Sequence, residues 1–158
     1  MKKISAILLA LALAMLASCF ALAESGPVVR SGAIAAYTDG SGSIYLPGRA
    51  DAINKTDASA LVGIDAYRVL FLSAAGDGED LYMIDLASFQ ETLIARGVHA
   101  ACLTDEAEAY YVTDADRARL TRVDLDTMAT ETACTANEPI DRLYLSAERL
   151  VFELGDQA

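Results

Sequence analysis

Short apolar runs of four to six residues recur along most of the chain and alternate with clusters of Gly, Asp, Ser and Asn. Runs of this length are too short for amphipathic helices and are typical of β-strands joined by turns. The runs also resemble one another. AYYV at 109–112 follows VLFL at 69–72 by 40 residues, and LTRVDL at 120–125 follows LYMIDL at 81–86 by 39 residues. The pattern therefore predicts an internal repeat.

Each copy of the repeat is predicted to contain four strands. They are residues 69–72, 81–86, 90–95 and 98–104 in one copy, and 109–112, 120–125, 130–135 and 140–146 in the next. An earlier copy is predicted at 33–37, 44–47, 52–56 and 60–64, and a last strand at 150–153. The chain is thus expected to carry about three repeats within a domain at 33–154, after a linker at 24–32 and before a tail at 155–158.

Four short antiparallel strands in roughly 40 residues are typical of one blade of a β-propeller. A single blade cannot bury both faces of its sheet, so neighbouring blades stack on it. We therefore predict an all-β fold of four-stranded propeller-type blades. Closed propellers use roughly four to eight blades, so the predicted ring is incomplete or is completed by oligomerisation. An open stack and a small barrel are alternatives, and exposed strand edges predict self-association or a protein partner.

The segment YYVTDADRARLTRVDLDT at 110–127 resembles the repeats of YVTN-type bacterial propellers. DLYMIDLAS at 80–88 resembles the related YWTD-like propellers of exported bacterial proteins with no assigned function. The resemblance implies a blade architecture without implying one activity, because propellers host both binding proteins and enzymes. The first copy departs from the pattern at Pro47 and Gly48, which leaves its second strand, at 44–47, unsupported by the resemblance.

Residues 1–23 are predicted to be an export signal. Lys2 and Lys3 precede a long apolar run, and small residues follow it, which is the layout of a secretory signal peptide. Cleavage after Ala23 is favoured. The alternatives are lipidation of Cys19, because LASC resembles a lipoprotein cleavage site, and an uncleaved membrane anchor. The protein is therefore expected to be secreted or held at the cell envelope.

The formal net charge of −11 narrows the range of partners. An acidic chain repels phosphate backbones and anionic lipid headgroups, so nucleic-acid binding and direct adsorption to a membrane surface are not expected. Membrane contact is predicted only through a lipid anchor or an uncleaved signal.

The chain shows little catalytic material. It has no Gly-x-Ser-x-Gly elbow and no cysteine–histidine spacing of a zinc site. His99, the single histidine, is predicted to be a half-buried strand residue. Cys102 and Cys134 are predicted to be unpaired thiols, with a disulfide as the alternative. No catalytic residue and no bound cofactor are assigned.

Carboxylates in two corresponding turns are the candidate metal ligands. Oxygen ligands in Gly-bearing loops suit calcium, although Asp-Gly is also ordinary turn chemistry, which is favoured here. The candidates are Asp77, Glu79, Asp80, Asp114 and Asp116. Two other acids recur near the ends of the strands at 81–86 and 120–125, and Asp85 and Asp124 are predicted to accept local backbone hydrogen bonds there.

The aromatic side chains are predicted to lie in the core or between blades. They are Tyr67, Phe71, Tyr110, Tyr111 and Tyr144. The function expected is an exported, non-enzymatic binding or scaffold module. The alternatives are a lactonase-like or other hydrolase that uses a divalent metal, an envelope lipoprotein that assists protein assembly, and a non-functional fragment of a longer propeller.

Overall fold

The structure, a computed structural model, describes residues 28–32, 34–76, 78–104, 107–146 and 149–155. The predicted export signal with Cys19 lies outside these residues, as does most of the predicted tail. The described residues form strands and no helix. Accordingly, the described part of the chain contains no helix long and apolar enough for a membrane crossing.

The strands are numbered in chain order. They are β1 (Val28–Ser31), β2 (Ile34–Thr38), β3 (Ile44–Tyr45), β4 (Ala60–Ile64), β5 (Arg68–Ala75), β6 (Gly78–Asp85), β7 (Glu91–Ala95), β8 (Val98–Leu103), β9 (Glu108–Thr113), β10 (Asp116–Asp124), β11 (Thr130–Thr135), β12 (Ile140–Ser146) and β13 (Arg149–Leu154).

The strands form four antiparallel sheets in which neighbours along the chain are neighbours in space. Sheet 1 contains β1–β3, sheet 2 contains β4–β7, sheet 3 contains β8–β11, and sheet 4 contains β12 and β13. Sheets 2 and 3 have four strands each, so the predicted all-β fold with four-stranded antiparallel sheets is confirmed. Each of these sheets begins with a strand that contains small residues, ALVGI in β4 and VHAACL in β8.

Sheet 1 differs from the prediction at its first strand and at the strand expected at 52–56. Strand β1 lies within the segment predicted as a linker, so the first sheet begins one strand earlier than expected. No strand forms at 52–56. Instead, the side-chain amide of Asn54 binds along β3: its Oδ1 accepts the backbone N–H of Ile44 at 2.6 Å, and its Nδ2 donates to the carbonyls of Gly42 and Thr56. One side chain thus replaces part of the missing fourth strand.

The apolar core lies between the sheets. Val69 and Phe71 of β5 belong to the cluster between sheets 1 and 2, whereas Leu70 and Leu72 belong to the cluster between sheets 2 and 3. Successive side chains of a strand point to opposite faces, so the continuous run VLFL indicates a strand covered on both sides. A third cluster, built around Val112, joins sheet 3 to sheet 4.

The turns after β6 and β10 have the same hydrogen bonds. Asp85 Oδ1 accepts the backbone N–H of Ser88 at 2.7 Å, and Asp124 Oδ1 accepts that of Thr127 at 2.9 Å. The residue four positions after each aspartate has a positive φ of 54° or 59°. The predicted local role of both aspartates is therefore confirmed. The hydroxyl and backbone N–H of Ser88 hold the pKa of Asp85 below its usual range, and the backbone N–H and hydroxyl of Thr127 do the same for the pKa of Asp124.

Candidate functional site

A groove runs along the first strands of the four sheets. Strand β1 contacts β4, β4 contacts β8, and β8 contacts β12. Two hollows of about 470 and 480 Å³ lie along these strands and share the lining residues Val62, Ala101, Leu143 and Tyr144. We call this surface the groove.

Small residues allow the strands that line the groove to approach one another closely. A Cβ atom placed on Gly63 of β4 would lie 2.8 Å from the Cβ of Leu103 on β8. Real Cβ atoms almost never come so close. The close packing of β4 on β8 at the groove therefore requires glycine at position 63.

Tyr144 exposes 41% of its surface in the groove. Of the two predicted positions, the core or between blades, the core is therefore wrong for Tyr144, which lines a hollow between the sheets. Both positions are wrong for Tyr67, which is 69% exposed in the link between β4 and β5. Phe71 and Tyr111 are buried as predicted, and Tyr110 packs against the cluster between sheets 3 and 4. The sequence could not separate these cases, because burial of a strand residue depends on whether another sheet covers its face.

Four charged or polar side chains meet at one end of the groove. We call His99, Asp114, Arg117 and Asp141 the histidine cluster. His99 Nδ1 lies 3.1 Å from Asp114 Oδ1, and His99 Nε2 lies 2.7 Å from Arg117 Nη2. Arg117 also donates to the carboxylate of Asp141 on β12. The cluster therefore connects sheet 3 to sheet 4 through polar contacts.

The partners of His99 define its tautomer. A guanidinium can only donate, so Nε2 must accept the bond from Arg117, and the Nδ1–H then donates to Asp114. As predicted, His99 is a half-buried strand residue, with 27% of its side chain exposed. The sequence did not indicate its partners, because they come from the β9–β10 turn and from β10, and their spacing follows no known motif.

The candidate calcium ligands form separate contacts. Asp77 lies outside the described residues. Each of the other four has a partner of its own: Glu79 accepts from the Ser59 hydroxyl, Asp80 from the backbone N–H of Gly97, Asp114 from His99, and Asp116 from Arg119. Within the described ranges no group of three or more His, Cys, Asp or Glu side chains is placed to hold a metal ion. Calcium binding stays the less favoured alternative to turn chemistry.

The two cysteines of the described domain are unpaired. Cys102 lies on β8 and Cys134 on β11, the two outer strands of sheet 3. Three strand spacings put them roughly 14 Å apart, well beyond the reach of a disulfide. The alternative of a disulfide is therefore wrong, and burial raises the pKa of the Cys102 thiol.

One arginine connects three strands at the far side of sheet 3. Arg122 of β10 donates to Glu108 of β9 and to Glu131 of β11. The bond from Arg122 lowers the pKa of Glu108, and the two carboxylates raise the pKa of Arg122. Arg122 and Glu108 both stay charged, so neither group is placed to transfer a proton in a reaction. We therefore assign this arrangement a structural role in sheet 3.

No protein-family model matches the chain, and no curated protein sequence matches it.

Proposed function

We propose that the chain is an exported, non-enzymatic binding module built from propeller-type blades, and that the groove is its binding surface. The observation that carries the proposal is the exposure of Tyr144 beside small side chains in a hollow of about 480 Å³. Exposed aromatic side chains in concave surfaces are frequent anchors of protein partners, because they offer a large contact area and lose little conformational entropy on binding.

The arrangement of the sheets supports the propeller part of the proposal. The sheets stack in chain order, each with its first strand beside the first strand of the next. The turns at Asp85 and Asp124 repeat at 39 residues with the same hydrogen bonds. Blades arranged in this way around an axis present their first strands to a shared central channel. In this proposal the groove is part of that channel.

The lining of the groove suggests the chemistry of the partner. Val62, Ala101 and Leu143 offer an apolar floor, and Arg142 and Asp141 add charge at the end that holds the histidine cluster. A protein segment that inserts an apolar side chain beside Tyr144 and places polar groups near Asp141 would fit both parts. The export part of the proposal rests on the sequence of residues 1–23 alone.

Site-specific photocrosslinking in cells tests the proposal. A photoreactive phenylalanine analogue replaces Tyr144 in one variant and Tyr67 in another. Both positions carry exposed tyrosines, but Tyr67 lies outside the groove, so it is the matched control. After export and irradiation, we expect a discrete adduct with an envelope or extracellular protein from position 144 and none from position 67.

Two results would count against the proposal. Equal adduct patterns from both positions would mean that the groove has no special affinity. Retention of the uncleaved chain in the cytoplasm would contradict the export part. Metabolic labelling with a fatty acid, lost in Cys19→Ala, would show that export ends in lipidation.

A further inference from the structure

The outer edge of β13 is unlike the outer edges of the complete sheets. Among the described residues β13 pairs with β12 alone. Phe152 and Leu154 of β13 are 38% and 46% exposed. The outer strand of sheet 3, β11, has the polar sequence TETACT, and the outer strand of sheet 2, β7, has the sequence ETLIA, whose residues are all half-buried. Polar and charged residues discourage pairing at an edge, whereas an apolar edge with free backbone groups promotes it.

The sequence of β13 is complementary to itself in an antiparallel arrangement. If two copies of β13 pair about a two-fold axis at Val151, then Arg149 of each copy lies opposite Glu153 of the other. Leu150 lies opposite Phe152, and Val151 lies opposite Val151. Every residue from Arg149 to Glu153 then meets a side chain of opposite charge or of similar polarity. Such cross-strand pairs stabilise antiparallel sheets.

The charged residues at the two ends are available for this pairing. Arg149 and Glu153 are both exposed. Glu153 contacts Arg142 across sheet 4, at 3.7 Å, where the Arg142 side chain is 77% exposed. A carboxylate accepts several hydrogen bonds, so Glu153 is able to bind a second arginine.

We infer that β13 is a dimerisation strand that binds β13 of a second copy of this chain. The strand order of the joint sheet is β12–β13–β13–β12, with neighbouring strands antiparallel throughout. The dimer thereby turns two two-stranded sheets into one four-stranded antiparallel sheet, the size that sheets 2 and 3 have. The contact is self-complementary and closed, so association stops at two copies. The inference deepens the proposed function by naming one partner, and it rests on that function only in treating the domain as a binding module.

Charge reversal with rescue tests the inference. Glu153→Arg places Arg149 opposite an arginine at both ends of the paired strands, and Arg149→Glu places two glutamates together. Each variant is expected to raise the dimer dissociation constant roughly tenfold or more, since two favourable cross-strand pairs become repulsive. Sedimentation of the purified mature chain over a concentration series measures this constant. Glu138→Arg, which makes the same charge change at an exposed residue outside β13, is the control and should leave the dimer intact.

Mixing the two variants provides the decisive result. The Glu153→Arg variant has arginine at both 149 and 153, and the Arg149→Glu variant has glutamate at both. An equimolar mixture should therefore form a heterodimer, although each variant alone forms only a weak homodimer. The double variant R149E/E153R should form the homodimer again. A mixture that stays monomeric, or a wild-type chain that is monomeric across the series, would overturn the inference.

The failure of this inference and the failure of the proposed function are distinguishable. A monomeric wild-type chain that still gives an adduct from position 144 in cells would leave the binding module in place without a second copy. A charge-independent dimer would show that the copies associate elsewhere and would also overturn the pairing of β13.

Discussion

Replacing Gly63 with alanine tests the close contact between β4 and β8. The added methyl group would lie 2.8 Å from the Cβ of Leu103 and 3.1 Å from its Cδ2. Both residues belong to strands inside the stack, so neither strand moves freely. Overpacking of this kind costs about 2 kcal/mol. For a domain of this size, that lowers the melting temperature by roughly 8 °C.

The assay is thermal unfolding of the mature chain followed by circular dichroism. Gly40→Ala is the matched control, because its Cβ would meet no atom within 4 Å and its φ is not positive. It should leave the melting temperature unchanged or slightly raised. Leu103→Gly removes the three atoms nearest to the new methyl group, so the penalty of Gly63→Ala should fall by at least half in that background. Equal melting temperatures for Gly63→Ala and Gly40→Ala would refute the close packing of β4 on β8.

Three further predictions concern the turns, the core and the thiols. Asp85→Ala and Asp124→Ala should each lower the melting temperature at pH 7. Folding lowers the pKa of each aspartate, so its contribution to the stability of the folded state is present above the unfolded pKa of about 3.9 and is lost as the pH falls through the folded pKa. A difference in melting temperature between variant and wild type that persists undiminished at pH 2 would contradict this. Phe71→Ala, at a fully buried side chain, should cost about 3–5 kcal/mol in urea unfolding, and a loss below about 1 kcal/mol would contradict its place in the core. A thiol reagent should label Cys134 in the native protein and Cys102 only after unfolding, whereas rapid native labelling of both would contradict the burial of Cys102.

Strands β5 and β9 were predictable because apolar clusters cover both of their faces. Coverage on both faces leaves continuous apolar runs such as VLFL, which stand out against polar turns. The aspartates at 85 and 124 were predictable because their hydrogen bonds are local. Their partners lie two or three residues away, so the sequence carries the whole interaction.

Sheet 1 and the groove were harder to predict for physical reasons. Strand β1 is four residues long and contains Arg30, so it has no distinctive pattern of its own. The fourth strand of that sheet was expected where Asn54 instead satisfies the backbone through its amide. The histidine cluster joins residues from separate segments, and the exposure of Tyr144 depends on which sheet lies nearby. Neither property is encoded by local sequence.

The position of the apolar clusters has a consequence for how proteins of this kind change in length. Each cluster lies between two sheets rather than within one. Inserting or deleting one whole 39-residue unit would therefore create or remove one cluster and leave the others as they are, because the main contacts of each sheet among the described residues are with its neighbours along the stack. Gene duplication in whole units would be tolerated, whereas a deletion of half a unit would leave one cluster without its second wall.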